Sequence, residues 1–142
     1  MNVVKHFIDC DSGPKIPDGW IGFKNHVKGG QFEWDLARVA LYFSKKQKTG
    51  IITNADELQQ EIVCDRLLNA NILDYLTAHP ELIPDDWKDK DKMVFFLGTT
   101  YLFSDGRECF RYLHCNKAGL GWGFRYHDDG LGSSSPVAVL AS

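Results

Sequence analysis

No stretch of this 142-residue chain is apolar for long enough to cross a bilayer as a helix. A spanning helix needs about 20 predominantly apolar residues, and the longest apolar-rich run, Met93 to Phe103, is interrupted by Gly98, Thr99 and Thr100. The N-terminus, MNVVKHFIDCDSG, lacks the charged region and apolar stretch of a signal peptide. A surplus of positive charge is missing too. Sixteen basic against nineteen acidic residues give a formal charge of −3, so no net field draws in a phosphate backbone. Acidic runs never exceed two residues, which leaves no phosphate mimic. Cysteines are few, namely Cys10, Cys64, Cys109 and Cys115; without a secretory signal they read as thiols in a reducing compartment. Together these absences point to a cytoplasmic protein with neither nucleic acid nor membrane as partner.

Local catalytic signatures are also lacking. No CxxC, HxxxH, HExxH, GxSxG or GxxxxGK[ST] occurs, and the one glycine-rich stretch, GLGWG, lies in a predicted strand rather than at the start of a helix. Cys109, His114 and Cys115 are of the right types for zinc or thiolate chemistry. On one strand, however, residues 109 and 115 would stand about 20 Å apart at about 3.3 Å per residue, with His114 on the opposite side. No metal and no cofactor are expected. Asp9, Asp11 and Gly13 resemble the start of a calcium loop but lack its later ligands and closing glutamate. His127, Asp128 and Asp129, in the sequence HDDG, form the densest set of acid and base groups. Asp-Asp-Gly is also ordinary turn chemistry.

What the chain does have is an ordinary globular balance, 44% hydrophobic and 25% charged, with 13% aromatic residues concentrated after residue 87. Its length suits one domain, 1–142, whose core needs no staples. Residues 1–33 carry many glycines and prolines and read as loops and short strands, with Val3 to Ile8 as an edge strand. Residues 34–87 read as helical. Leu36, Val39, Ala40 and Phe43 recur at helical spacing behind Asp35, which predicts a helix to about Lys46. Asn54 and Glu57 suggest a capped helix from Ala55 to Val63, and Asn69 opens a third that turns Ile72, Leu73 and Leu76 inward and stops before Pro80.

From residue 93 to 142 the period becomes strand-like, with runs at Met93 to Phe103, Glu108 to Cys115, Leu120 to Tyr126 and Val137 to Leu140. The fold class is therefore α+β: N-terminal loops and about three helices packed on a C-terminal antiparallel meander of three to five strands. Asp105-Gly106 predicts a two-residue hairpin turn, with Leu102 opposite Cys109. That register puts Val94, Phe96, Arg111, Leu113, Trp122, Phe124 and Tyr126 on one face, facing the helices with Trp122 in the core. The other face then holds Phe95, Leu97, Tyr101, Phe103, Phe110, Tyr112, His114 and Arg125. Either the N-terminal 33 residues cover this second face, or it is a wet recognition surface.

The stretch LLNANILDYLTAHPELIPDDWK, followed by VFFLGTTYLFSDG and closing on SPVAVLAS, resembles a group of small bacterial proteins that share such a run. The similarity extends from about Gly29 to the C-terminus and brings no activity, cofactor or site residue with it. Where that group carries tryptophan in its FF-[LW]-G-T segment, this chain has Leu97. The leading functional expectation is a non-enzymatic binding module with Tyr101, Phe110, Tyr112, His114 and Arg125 at its site and a protein, peptide or small molecule as ligand. No catalytic residue is assigned in that reading. The alternatives are a hydrolase-like enzyme using His127, Asp128 and Asp129, and a homodimer-forming structural protein.

Overall fold

The computed structural model describes residues 4–88, 92–116 and 119–141. The class is α+β with a mostly antiparallel, curled sheet. In chain order the elements are β1 (Phe7–Asp9), β2 (Gly22–His26), β3 (Gln31–Glu33), β4 (Val39–Tyr42), α1 (Lys45–Lys48), α2 (Ala55–Glu61), α3 (Ala70–Ala78), β5 (Val94–Phe95), β6 (Thr99–Leu102), β7 (Glu108–Asn116), β8 (Gly119–Tyr126) and β9 (Val137–Leu140). Strands β1 and β3 pair with each other, and Val3, expected in the first strand, lies outside the described residues. The other seven strands form the main sheet in the order β2-β6-β7-β5-β9-β4, with β8 on the second edge of β7. The sheet is therefore larger than the three to five strands expected.

Two of the extra strands come from outside the expected meander, one from the segment read as loops and short strands and one from the segment read as helical. Asp35 does act as a cap, accepting from the Ala37 N–H at 3.0 Å, but the turn that it starts ends at Arg38 and the chain then extends into β4. Val39 and Leu41 pack into one core while Ala40 and Tyr42 pack into another. A run that is apolar at every position suits a strand buried on both faces, and over so short a span it also matches helical spacing. Pairing of β4 with β9, from Val39 opposite Leu140 to Tyr42 opposite Val137, decides between the two. Strand β2, from the glycine-rich N-terminal part, pairs with β6.

Helices α2 and α3 form where their caps predict. Asn54 accepts from the Glu57 N–H at 2.9 Å and Asn69 from the Asn71 N–H at 3.1 Å. Asn69 does more, because its amide also donates to the Cys10 and Val27 carbonyls, tying the N-terminal segment to the start of α3. The two helices lie on opposite faces of the sheet. On one side, Ile72, Leu73 and Leu76 meet Val94, Phe96 and Leu113 together with Ile8, Phe32, Trp34 and Trp87. On the other, Leu58 and Ile62 meet Phe95, Leu97, Phe110, Val137 and Val139.

The β6–β7 hairpin has a three-residue loop. Gly106 N–H donates to the Phe103 carbonyl at 2.9 Å, Phe103 N–H to the Arg107 carbonyl at 2.9 Å, and Gly106 sits at φ +84°. This is a type I turn closed by a left-handed glycine, the standard three-residue alternative to the two-residue turn. It pairs Tyr101 with Cys109 and Leu102 with Glu108, one residue away from the expected register. A one-residue slip exchanges the faces of a strand, so Tyr101 and Phe103 lie on the Arg111 face. The β7–β8 register is as expected, with Leu113 opposite Trp122; the turn residues Lys117 and Ala118 lie outside the described residues.

Candidate functional site

The five side chains expected to form one surface are divided between two faces. Tyr101 is fully buried beneath the N-terminal segment, and Phe110 is buried against α2. Tyr112, His114 and Arg125 share the α2 face and are half-buried, but they are spent on one another and on the strand beside them. An added Cβ at Gly121 would lie 2.9 Å from the His114 ring, and one at Gly123 would clash with the Tyr112 hydroxyl. Both rings are thus folded down over glycines of β8. The Arg125 guanidinium lies 5.5 Å from the centre of the Tyr112 ring. No open platform remains there, and His114 Nδ1 is buried without a partner.

The half-open aromatic surface is on the other face. Residues 15–21 are tied to the sheet by two hydrogen bonds, the Tyr101 hydroxyl donating to the Lys15 carbonyl and Ile21 N–H to the Leu102 carbonyl, and a third within the segment, from Trp20 N–H to the Pro17 carbonyl, closes a turn, each at 3.1 Å. This brings the Trp20 ring edge-on to Tyr101, Phe103, Trp122 and Phe124, with centroids 5.1 to 5.9 Å away. Phe103 stacks on Phe124 at 4.8 Å, and the Arg107 guanidinium lies 3.5 Å over Tyr126. Trp122, expected in the core, is 40% exposed. Helix α3 covers the sheet around Leu113 but leaves this indole at the margin, which corrects the sequence expectation.

Beneath Trp122 is Arg111, only 3% exposed. Its two terminal nitrogens donate to the two Asp74 oxygens at 3.2 and 2.9 Å, and Nη1 also donates to the Tyr101 hydroxyl at 3.3 Å. The guanidinium carbon lies 4.1 Å from the Trp122 ring centre. Its Nε is buried with no acceptor. Burial works against the Arg111 charge, but the Asp74 carboxylate outweighs it and holds the guanidinium above its ordinary pKa. Burial also raises the Tyr101 phenol. Arg111, Asp74 and Trp122, with Lys15, Pro17 and Thr77, line a cleft of about 190 Å³. The sequence signal for this site was an arginine among the inward-facing residues of β7; its partner, 37 residues away, left none.

The HDDG loop is engaged throughout. His127 Nδ1 meets Asp56 Oδ2 at 2.6 Å, Asp128 pairs with Arg107 at 3.2 Å and Asp129 accepts from the Tyr126 N–H at 2.8 Å. The calcium-like loop is occupied in the same way, with Asp9 accepting from Asp11 N–H and Asp11 from Gly30 N–H. The cysteines are free thiols: burial pushes Cys10 up to about 11 and Cys109 up to about 12, whereas Cys64 is exposed. Among the described residues, no group of three or more His, Cys, Asp or Glu side chains could hold a metal.

Two histidines should titrate in opposite directions. The Ser12 carbonyl can only accept, so the neutral His26 ring carries its hydrogen on Nε2 and its Nδ1 accepts, at 2.8 Å, from the Thr99 hydroxyl, whose oxygen in turn accepts from Ala70 N–H at 2.9 Å. His26 Nε2–H then donates to the Ser12 carbonyl, and burial lowers the pKa of this neutral ring. The hydrogen bond to Asp56 raises that of His127. The His26 contribution to stability is present above the ordinary value of about 6.5 and is lost as pH falls toward its lowered value. That of His127 is present below about 6.5 and is lost as pH rises through its raised value. Imidazole proton shifts followed against pH should give midpoints on either side of 6.5, and Asp56→Asn should bring only His127 back down. Midpoints in the reverse order would refute both assignments.

No family model matches the chain, and neither the curated proteins nor the solved structures provide a match to it.

Proposed function

We propose that the protein is a non-enzymatic binding module that receives a protein or peptide on the aromatic surface of Trp20, Phe103, Trp122, Phe124 and Tyr126. One observation carries this reading: a tryptophan that is 40% exposed lies packed between Trp20 and the buried Arg111 guanidinium. Tryptophan, tyrosine and arginine dominate binding hot spots, and the two aromatics do so by burying a large, stiff area at little cost in side-chain entropy. A ring already fixed by its neighbours loses still less on binding. The reading keeps the binding function expected from sequence and moves it to the opposite face of the sheet. It is favoured over a hydrolase because Asp128 and Asp129 are engaged by Arg107 and the Tyr126 N–H, and among the described residues no Ser, Thr or Cys side chain is hydrogen-bonded to His127 for it to activate.

The test is to pan a phage-displayed random peptide library on the wild-type protein and measure the selected peptides against Trp122→Ala. That variant should lose only about 1 kcal/mol of stability, near the centre of the range for point substitutions, and tenfold or more in affinity, as expected for about 1.4 kcal/mol at a hot spot. Peptides that bind both proteins equally, or a failure to enrich any, would defeat the proposal. A dimer by light scattering that Trp122→Ala converts to monomer would reassign the surface to self-association.

A further inference from the structure

Resting on that reading of the aromatic face, we infer that the cleft beside Trp122 anchors a carboxylate, so that the ligand is an acidic peptide. At about 190 Å³ the cleft is smaller than the roughly 300–1,000 Å³ that takes a drug-sized molecule, but it has room for a carboxylate and its neighbouring methylenes. Its lining brings two cations, Lys15 and Arg111, against one anion, Asp74. The anion's charge is paired, since each of its oxygens receives one Arg111 nitrogen, which leaves the Lys15 charge unmatched within the cleft. The Thr77 hydroxyl gives its hydrogen to the Asp74 carbonyl.

The polar side-chain groups of the lining that have no partner at all are donors. Neither the Lys15 ammonium nor the Trp122 indole N–H has a partner among the described residues. A cationic ligand would have to share the Asp74 carboxylate with Arg111 and would face the Lys15 ammonium, and one side of the indole is already taken by the Arg111 guanidinium. A carboxylate supplies both the missing charge and the missing acceptors, in a cleft whose low-dielectric walls strengthen their interaction. The apolar residues flanking that carboxylate in a peptide would then lie on Trp20 and Phe124. A Glu or Asp side chain and a free C-terminus present the same group, so the experiment separates them.

The 15N-labelled protein is titrated at low salt with three probes while the Trp122 indole and Arg111 Nε signals are followed. The probes are N-acetyl-glutamate amide, which offers a side-chain carboxylate; N-acetyl-alanine, which offers a terminal one; and N-acetyl-glutamine amide, which offers neither. The expected result is saturable movement of both signals with at least one acid and none with the glutamine probe, and the acid that saturates identifies the source. Lys15→Gln, which keeps the carbonyl that Tyr101 uses, should weaken the acid about tenfold, the equivalent of one charge pair worth about 1.4 kcal/mol. Equal response to the glutamine probe, unchanged affinity in Lys15→Gln, or no saturation by either acid would overturn the assignment. If library peptides require Trp122 while the acids do not saturate, the aromatic surface stands and the carboxylate site falls. If the acids saturate and no peptide is enriched, the cleft stands and the peptide-binding reading falls.

Discussion

Gly98→Ala should leave little folded protein, or cost about 3 kcal/mol or more in urea unfolding, the upper end of what overpacking a core usually takes. Residues 93–103 read as one continuous strand, but the structure breaks them at residues 96–98 so that β5 and β6 both pair with β7. At the break, Gly98 N–H donates to the Leu68 carbonyl at 3.0 Å and its own carbonyl accepts from Val27 N–H at 2.7 Å. A Cβ on residue 98 would stand 2.7 Å from the Leu68 carbonyl carbon and oxygen and 2.8 Å from the Asn69 nitrogen. These are backbone atoms at the start of α3, and no rotamer change moves them aside. Relief would require the α3 entry to lift from the sheet, loosening the Asn69 bonds to Cys10 and Val27 as well. Gly13→Ala is the control, since nothing lies within 4 Å of its added Cβ. Equal stability of the two variants would show that the chain does not approach this closely at residue 98.

How much of this was legible in the sequence depended on whether each signal was local. Helix α3 was read from Asn69, from Ile72, Leu73 and Leu76, and from the stop before Pro80, and each of these acts within one or two turns. The β7–β8 register, with Leu113 and Trp122 on one face, followed from alternation together with the glycine-closed turn between the two strands. Strand β4 was not legible, because its identity rests on a partner, β9, that lies 95 or more residues away in the chain. Asp105-Gly106 marked a hairpin correctly, yet the same dipeptide serves a two-residue and a three-residue loop, and that single residue decides which face Tyr101 and Phe103 occupy. The expected surface was divided for this reason: Tyr101 and Phe103, two of its eight residues, belonged to the other side, where they joined Trp122 and Phe124. Coverage of the Phe110 face by α2 was illegible for a further reason, since no local pattern tells a helix which side of a sheet to take.

The Arg111–Asp74 pair should respond asymmetrically to losing one partner or the other. Asp74→Ala strands a guanidinium that is 3% exposed, with only the Tyr101 hydroxyl left to accept from it. Removing one member of a buried pair costs about 3–5 kcal/mol for this reason, a large part of the roughly 5–15 kcal/mol that keeps a domain folded. Arg111→Met is the gentler change. It leaves a carboxylate whose side chain is 28% accessible and can turn to water, and it puts a flexible apolar chain of similar length beside Tyr101 and Trp122. We expect that variant to lose about 1 kcal/mol. The double variant Asp74→Leu with Arg111→Met should be near wild type or slightly more stable, because an apolar replacement recovers the desolvation that the ion pair never fully offsets. Equilibrium urea unfolding of the three proteins decides this, and an Arg111→Met loss larger than that of Asp74→Ala would refute the asymmetry. A stable double variant would also show that the fold can do without this pair, so that its place beneath an exposed tryptophan needs a reason other than stability, and the cationic cleft is the one the structure offers.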